Sequence, residues 1–244
     1  MIRRSMSVIL TAIVAVLPFE VVAATTPSVI GGTLTERYIG ASSSSDSFSY
    51  DTTSTGSNRA LIVMCTNQSG QFETSATYNG VSMTKLTSGS NAIFGQTMFY
   101  LANPATGANT LTINYTATIG HFCHVFTLQD VDQTTLYQAF IGMEKNPGTS
   151  VTLTATTTVA NQLVVSWIGA ANAITVGGGQ STAYNAKPGS YFMALSTSTP
   201  DTTTTVTHTY SFSSGFYSST IVSFLPVTGA AAPTPSAWQN IQFW

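Results

Sequence analysis

Beyond its first twenty residues the chain nowhere sustains the 3.6-residue apolar stripe of an amphipathic helix; the period that recurs is two. Leu111, Ile113 and Tyr115 alternate with Thr110, Thr112 and Asn114, and Val151, Leu153 and Ala155 alternate with Thr152, Thr154 and Thr156. Successive side chains on a strand point to opposite faces, so each segment reads as a half-buried strand. The runs at 60–65 and 163–168 are almost wholly apolar, too short for an ordinary helix, and read as strands buried on both faces. Asn79-Gly80, between 73–78 and 81–86, is a hairpin turn signal. Further strands read at 97–101, 121–128, 193–196, 203–212 and 216–225. This spacing predicts an all-β fold, an antiparallel two-sheet β-sandwich (jelly-roll-like) over residues 29–227. Leu61, Val63, Leu111, Ile113, Leu163, Val165 and Phe224 are expected in its core.

Composition narrows the function. Charged residues make up 7% of the 244, against about a quarter in an ordinary globular domain. Seven Lys and Arg cannot neutralise a row of phosphates, which excludes nucleic acid as a partner. A hydrophobic content of 43% excludes intrinsic disorder.

The chain also carries a resemblance. Its motifs run Asn58-Arg59-Ala60-Leu61-Ile62-Val63, then Ala76-Thr77-Tyr78-Asn79-Gly80-Val81-Ser82-Met83-Thr84, then Met98-Phe99-Tyr100-Leu101-Ala102-Asn103-Pro104-Ala105-Thr106-Gly107. Leu128-Gln129-Asp130-Val131-Asp132-Gln133-Thr134-Thr135 and Asn161-Gln162-Leu163-Val164-Val165 follow. Together they resemble a loosely defined family of β-sandwich domains found in phage virion proteins (tail and head-surface components) and in bacterial secreted proteins. Asn58 departs from that pattern, standing where an acidic residue is more usual. The resemblance covers residues 34–226 and implies the fold, but supplies no shared catalytic residues. The first and last motifs echo each other across about a hundred residues, too far for a solenoid repeat. The echo is read as two central strands obeying one packing rule, and the chain as one sandwich domain.

Candidate chemistry is sparse. No Gly-x-Ser-x-Gly elbow is present, and His208 lies in a Thr-rich strand with no acid nearby in sequence. Asp130 and Asp132 are spaced like turn builders rather than a glycosidase pair. In His121-Phe122-Cys123-His124 the strand alternation splits the ligands, with His121 and Cys123 on one face and His124 on the other. Asp46, Asp51 and Asp201 offer calcium only isolated loop oxygens. No metal and no cofactor are therefore expected. Cys65 and Cys123 would pair in an exported protein. In a particle assembled inside a cell they would be free core side chains, the reading favoured here because a buried thiol needs no special geometry. Tyr137, Tyr184, Tyr191 and Tyr217 sit near loops or strand ends and are the candidates for stacking on sugar rings.

The two ends differ from the middle. Residues 1–28 form an apolar N-terminal arm or signal-like segment, with Arg3 and Arg4 before an apolar run from Val8 to Leu17, too short to anchor the chain permanently in a membrane. It reads either as a cleaved export signal or as an arm retained against a neighbour. Residues 228–244 are a Pro/Ala linker followed by a C-terminal tail, where Trp238, Ile241, Phe243 and Trp244 are candidate docking anchors. The expectation is a non-enzymatic structural virion protein of a phage, a head decoration or tail component located in the virion, packing against other virion subunits or copies of itself. The alternative is a secreted bacterial carbohydrate-binding or adhesive module, extracellular or on the cell surface, touching host-surface glycans.

Overall fold

The computed structural model describes residues 24–39, 43–68, 72–90, 94–116, 120–187 and 191–227. The N-terminal segment 1–23 and the tail with Trp238, Ile241, Phe243 and Trp244 lie outside the described residues.

The first ten strands are β1 (Ser28–Val29), β2 (Thr35–Ile39), β3 (Ser45–Asp51), β4 (Ala60–Gln68), β5 (Glu73–Tyr78), β6 (Val81–Ser82), β7 (Thr84–Ser90), β8 (Phe94–Ala102), β9 (Ala108–Tyr115) and β10 (His121–Gln129). Six more follow: β11 (Tyr137–Thr156), β12 (Leu163–Ala170), β13 (Thr175–Val176), β14 (Ser181–Ala186), β15 (Phe192–Ser198) and β16 (Thr205–Phe224). The fold is an all-β sandwich in which every strand pair is antiparallel.

The sheets number three rather than two. Sheet one has the order β1-β10-β4-β8-β7 with β2 also on β10; sheet two is β3-β9-β5-β6. Sheet three is β11-β16-β12-β15-β14 with β13 on β16. Sheet two covers one face of sheet one, enclosing Leu61, Val63, Phe99, Leu111, Ile113 and Val125. The other face of sheet one meets sheet three over Ile62, Met64, Phe126, Leu163, Val165, Trp167, Val222 and Phe224.

The remaining face of sheet three is covered by the sheet itself. β11 and β16 are each twenty residues long, and register shifts around Gly148 and Gly215 bend the pair so that its far half folds over β12. Val151, Leu153, Val206 and Tyr210 from that half pack on Val164, Ile168 and Ala194.

The molecule is thus two small sandwiches back to back, and they share one topology. Sheet one places β10 beside the central β4, followed by β8 and β7; sheet three places β16 beside the central β12, followed by β15 and β14. β3, β9 and β5 cover the first lobe as the far halves of β11 and β16, with β13, cover the second. The Asn58/Asn161 echo is therefore a repeat of the fold and not a coincidence of packing. Both asparagines take the left-handed conformation just before a central strand, at φ 47° and 62°. β12 is buried on both faces along its whole length, and β4 along its described side chains from Ala60 to Asn67, which explains their near-continuous apolar runs. All seven expected core residues are buried, each contributing about 1.5–3 kcal/mol.

Candidate functional site

The second lobe holds a buried polar network beside a surface cavity. Ser166 on β12 places its Oγ 2.6 Å from His208 Nδ1 and 2.6 Å from the Tyr210 hydroxyl, both on β16. The other ring nitrogen, His208 Nε2, lies 2.5 Å from Ser198 Oγ at the end of β15. Gln180 donates through Nε2 to Ser196 Oγ (3.2 Å) and accepts the Thr209 amide (2.8 Å). Strand alternation puts these groups together: Val206, His208 and Tyr210 all point inward, and so do Ser166, Ser196 and Ser198.

Burial lowers the His208 pKa to about 4, so the ring is neutral at pH 7. Burial also raises the Tyr210 phenol above its ordinary value, which keeps it protonated. A hydroxyl against a neutral imidazole is the geometry of a nucleophile and its base. Here, however, both ring nitrogens face hydroxyls, no carboxylate among the described residues orients the ring, and desolvation makes it a weak base at pH 7. The cavity next to Ser198 has a volume of about 510 Å³ and is walled by Gln180, Thr197, Thr199, Thr205 and Thr207, with Pro200 and Val206 as its apolar part.

The first lobe has a different cluster. Cys65 and Cys123 face each other on β4 and β10 and form a disulfide, not the free core thiols favoured from the sequence. The register makes them a directly opposed cross-strand pair, a placement sequence spacing does not reveal. Nearby, His121 Nδ1 is 2.9 Å from Glu73 Oε1, both side chains fully buried, with the Tyr115 ring stacked on the imidazole at 3.8 Å. Burial and the Glu73 charge push the Tyr115 phenol upward. Glu73 also stands within ligand distance of the two sulfurs, but a disulfide offers no thiolate to a metal. His124 is on the opposite face, edge-on to Phe122 at 4.8 Å, and burial lowers its pKa to about 3.

The four candidate tyrosines do not converge. Tyr217 is buried at 3% exposure and edge-on to Phe212, so it offers no face to a sugar. Its position on the inward-bending part of β16, which sequence places at a strand end, accounts for the difference. The other three reach across the seam between lobes. Tyr137 meets Tyr100 (5.7 Å), Tyr184 stacks on Phe122 (5.6 Å) and Tyr191 meets Phe94 (4.9 Å). Asp132 accepts the amides of Thr134 and Thr135, both at 2.8 Å, and Asp51 accepts that of Thr53, so these acids build turns. Asp46 is paired with Arg37.

Sequence reasoning considered His208 but missed Ser166, Ser196, Ser198 and Gln180. A signal was present: in Val206-Thr207-His208-Thr209-Tyr210 the histidine occupies an inward slot of the alternation. No protein-family model, curated protein or solved structure matches the chain.

Proposed function

We propose that this protein works outside the reducing cytosol as a structural surface module, acting by contact and without turning over a substrate. The Cys65–Cys123 disulfide carries the reading. Both cysteines are fully buried between sheets one and two, so the bond forms before the lobe closes. Such bonds form and persist in oxidising compartments. The Arg3-Arg4 start with its apolar run agrees with export, and the Ser- and Thr-rich strands give a surface with little charge to repel a neighbour. The test is to express the full chain in a bacterium and recover it from the periplasm. A mass lacking roughly the first 23 residues, with no titratable thiol, is expected. A full-length mass with two free thiols and an equally stable fold overturns the proposal.

A second reading, a phage virion subunit, is favoured by β11. It is the terminal strand of sheet three, and its Ile141 and Met143 are 44% and 42% exposed. A neighbouring subunit would cover such an edge. Under this reading, Ile141→Lys with Met143→Lys converts a multimer into monomers in sedimentation. A wild-type chain that is already monomeric at high concentration removes it.

A further inference from the structure

We infer that the cavity of the second lobe is a binding site for a small, uncharged, hydroxyl-rich ligand such as a sugar ring. The first lobe serves as an internal control. Strand register, carried outward from the paired central strands β4 and β12, equates Met83 with Gln180, Val63 with Ser166, Phe99 with Ser196 and Leu101 with Ser198. At each of these inward positions an apolar side chain in one lobe faces a polar one in the other. At these positions the topology closes over apolar side chains, and nothing in it calls for the polar set. Burying hydroxyls and an imidazole is costly unless each is hydrogen-bonded, and a network of this size is harder to satisfy than an apolar core.

The cavity has a local cause. In the first lobe Tyr78 lies opposite Leu111, fully buried, its hydroxyl donating to the Gly107 carbonyl at 2.8 Å. In the second lobe β13 ends at Val176 opposite Tyr210, and the Gly177 amide donates to the Thr209 carbonyl. β13 has two residues where β5 has six, and beyond it the chain turns at 178–179, so among the described residues no strand covers that edge of β16 from Thr205 to His208. The cavity lies along this open edge, with Gly179, Gln180 and Ser181 on its rim.

The chemistry of the walls selects the ligand. Ser198, Thr205, Thr207 and Gln180 each offer a neutral donor and acceptor, and His208, neutral at pH 7, holds Ser198 from behind. Among the described residues, none that lines the cavity is charged, so an ionic ligand finds no counter-charge there. Pro200 and Val206 supply an apolar surface for the C–H face of a ring. The volume falls within the roughly 300–1,000 Å³ of small-molecule sites. The inference is independent of the compartment in which the protein works, since the same walls would bind the same ligand in any of them.

Saturation-transfer NMR tests it, using maltose, cellobiose, lactose and diacetylchitobiose, with glucose 6-phosphate as the charged control. At least one neutral disaccharide should show transfer, and the phosphate none. Ser181→Leu with Thr199→Leu fills the cavity from two of its walls; both positions are exposed, so the variant folds. It should abolish transfer, while Ser198→Ala should weaken binding by about tenfold, the size of one hydrogen bond. Unchanged circular dichroism and melting in both variants exclude misfolding as the cause. The site is overturned if none of the four sugars shows transfer, if transfer survives Ser181→Leu with Thr199→Leu, or if the phosphate binds equally well.

Discussion

The two lobes run the same strand order and fill it with opposite chemistry. The first closes with aliphatic and aromatic side chains, a disulfide and the buried Glu73–His121 pair; in the second, Ile168 and Ser219 stand at the positions of Cys65 and Cys123. Its centre is a chain of hydroxyls around His208, with Ser166, Ser196 and Ser198 where the first lobe has Val63, Phe99 and Leu101. The comparison teaches that this fold is specified by which positions face inward, while the chemistry at those positions is free to drift as long as polar groups find partners.

The largest effect should come from the layer that belongs to both lobes. Trp167 is fully buried in the seam, and Trp167→Ala should cost about 3–5 kcal/mol. Because the seam joins the lobes, denaturant unfolding should remain a single transition at lower midpoint. Two separated transitions would mean that the lobes are independent and the seam is only a contact.

The disulfide comes next. Cys65→Ala with Cys123→Ala should destabilise by about 2–4 kcal/mol, felt first in the lobe that contains it. Hydrogen exchange should speed up in β4 and β10 before it does in β12 and β16. Equal acceleration in both lobes would show that the crosslink acts on the whole chain.

Acid should separate the lobes in another way. The folded pKa of His208, about 4, lies below its ordinary 6.5, so the folded state binds fewer protons than the unfolded state between those values. Its contribution, roughly 2–3 kcal/mol, is present above pH 6.5 and is lost as the pH falls to 4. His124 in the seam acts with the same sign down to about pH 3. His208→Leu removes the buried imidazole and should make the stability profile shallower between pH 6.5 and 4, with the His124 part remaining. A profile as steep as the wild type's would place the acid sensitivity elsewhere.

How far the sequence speaks also differs between lobes. Clean alternation made β9 and the far half of β11 readable, the mostly apolar run at 121–128 marked β10, and the paired apolar runs exposed β4 and β12. β3 went unread because its inward Phe48 and Tyr50 are embedded in serines, and β14 because its exposed pattern has no apolar face to betray it. The repeat was visible only at its central strands. Elsewhere, Phe99 against Ser196 or Met83 against Gln180 erases the likeness that register restores. The network stayed hidden for the same reason: Ser166, Gln180, Ser198 and His208 are spread over more than forty residues, and only the bend in β16 brings them together.

That bend marks the last contrast. Where the second lobe carries one strand, β11, through the corner, the first uses two, β2 and β3, tied by Arg37. Its guanidinium donates to both Asp46 carboxylate oxygens at 2.7–3.0 Å and covers the Phe48 ring at 4.4 Å. The pair is partly exposed, at 36% and 15% for the two side chains, so Arg37→Ala should cost at most about 1 kcal/mol, less in high salt. The inward Phe48 and Tyr50, and not the ion pair, then hold β3 over the core. A loss as large as that of the disulfide would reverse the assignment: the broken corner would depend on its salt bridge, as the continuous one depends on its backbone.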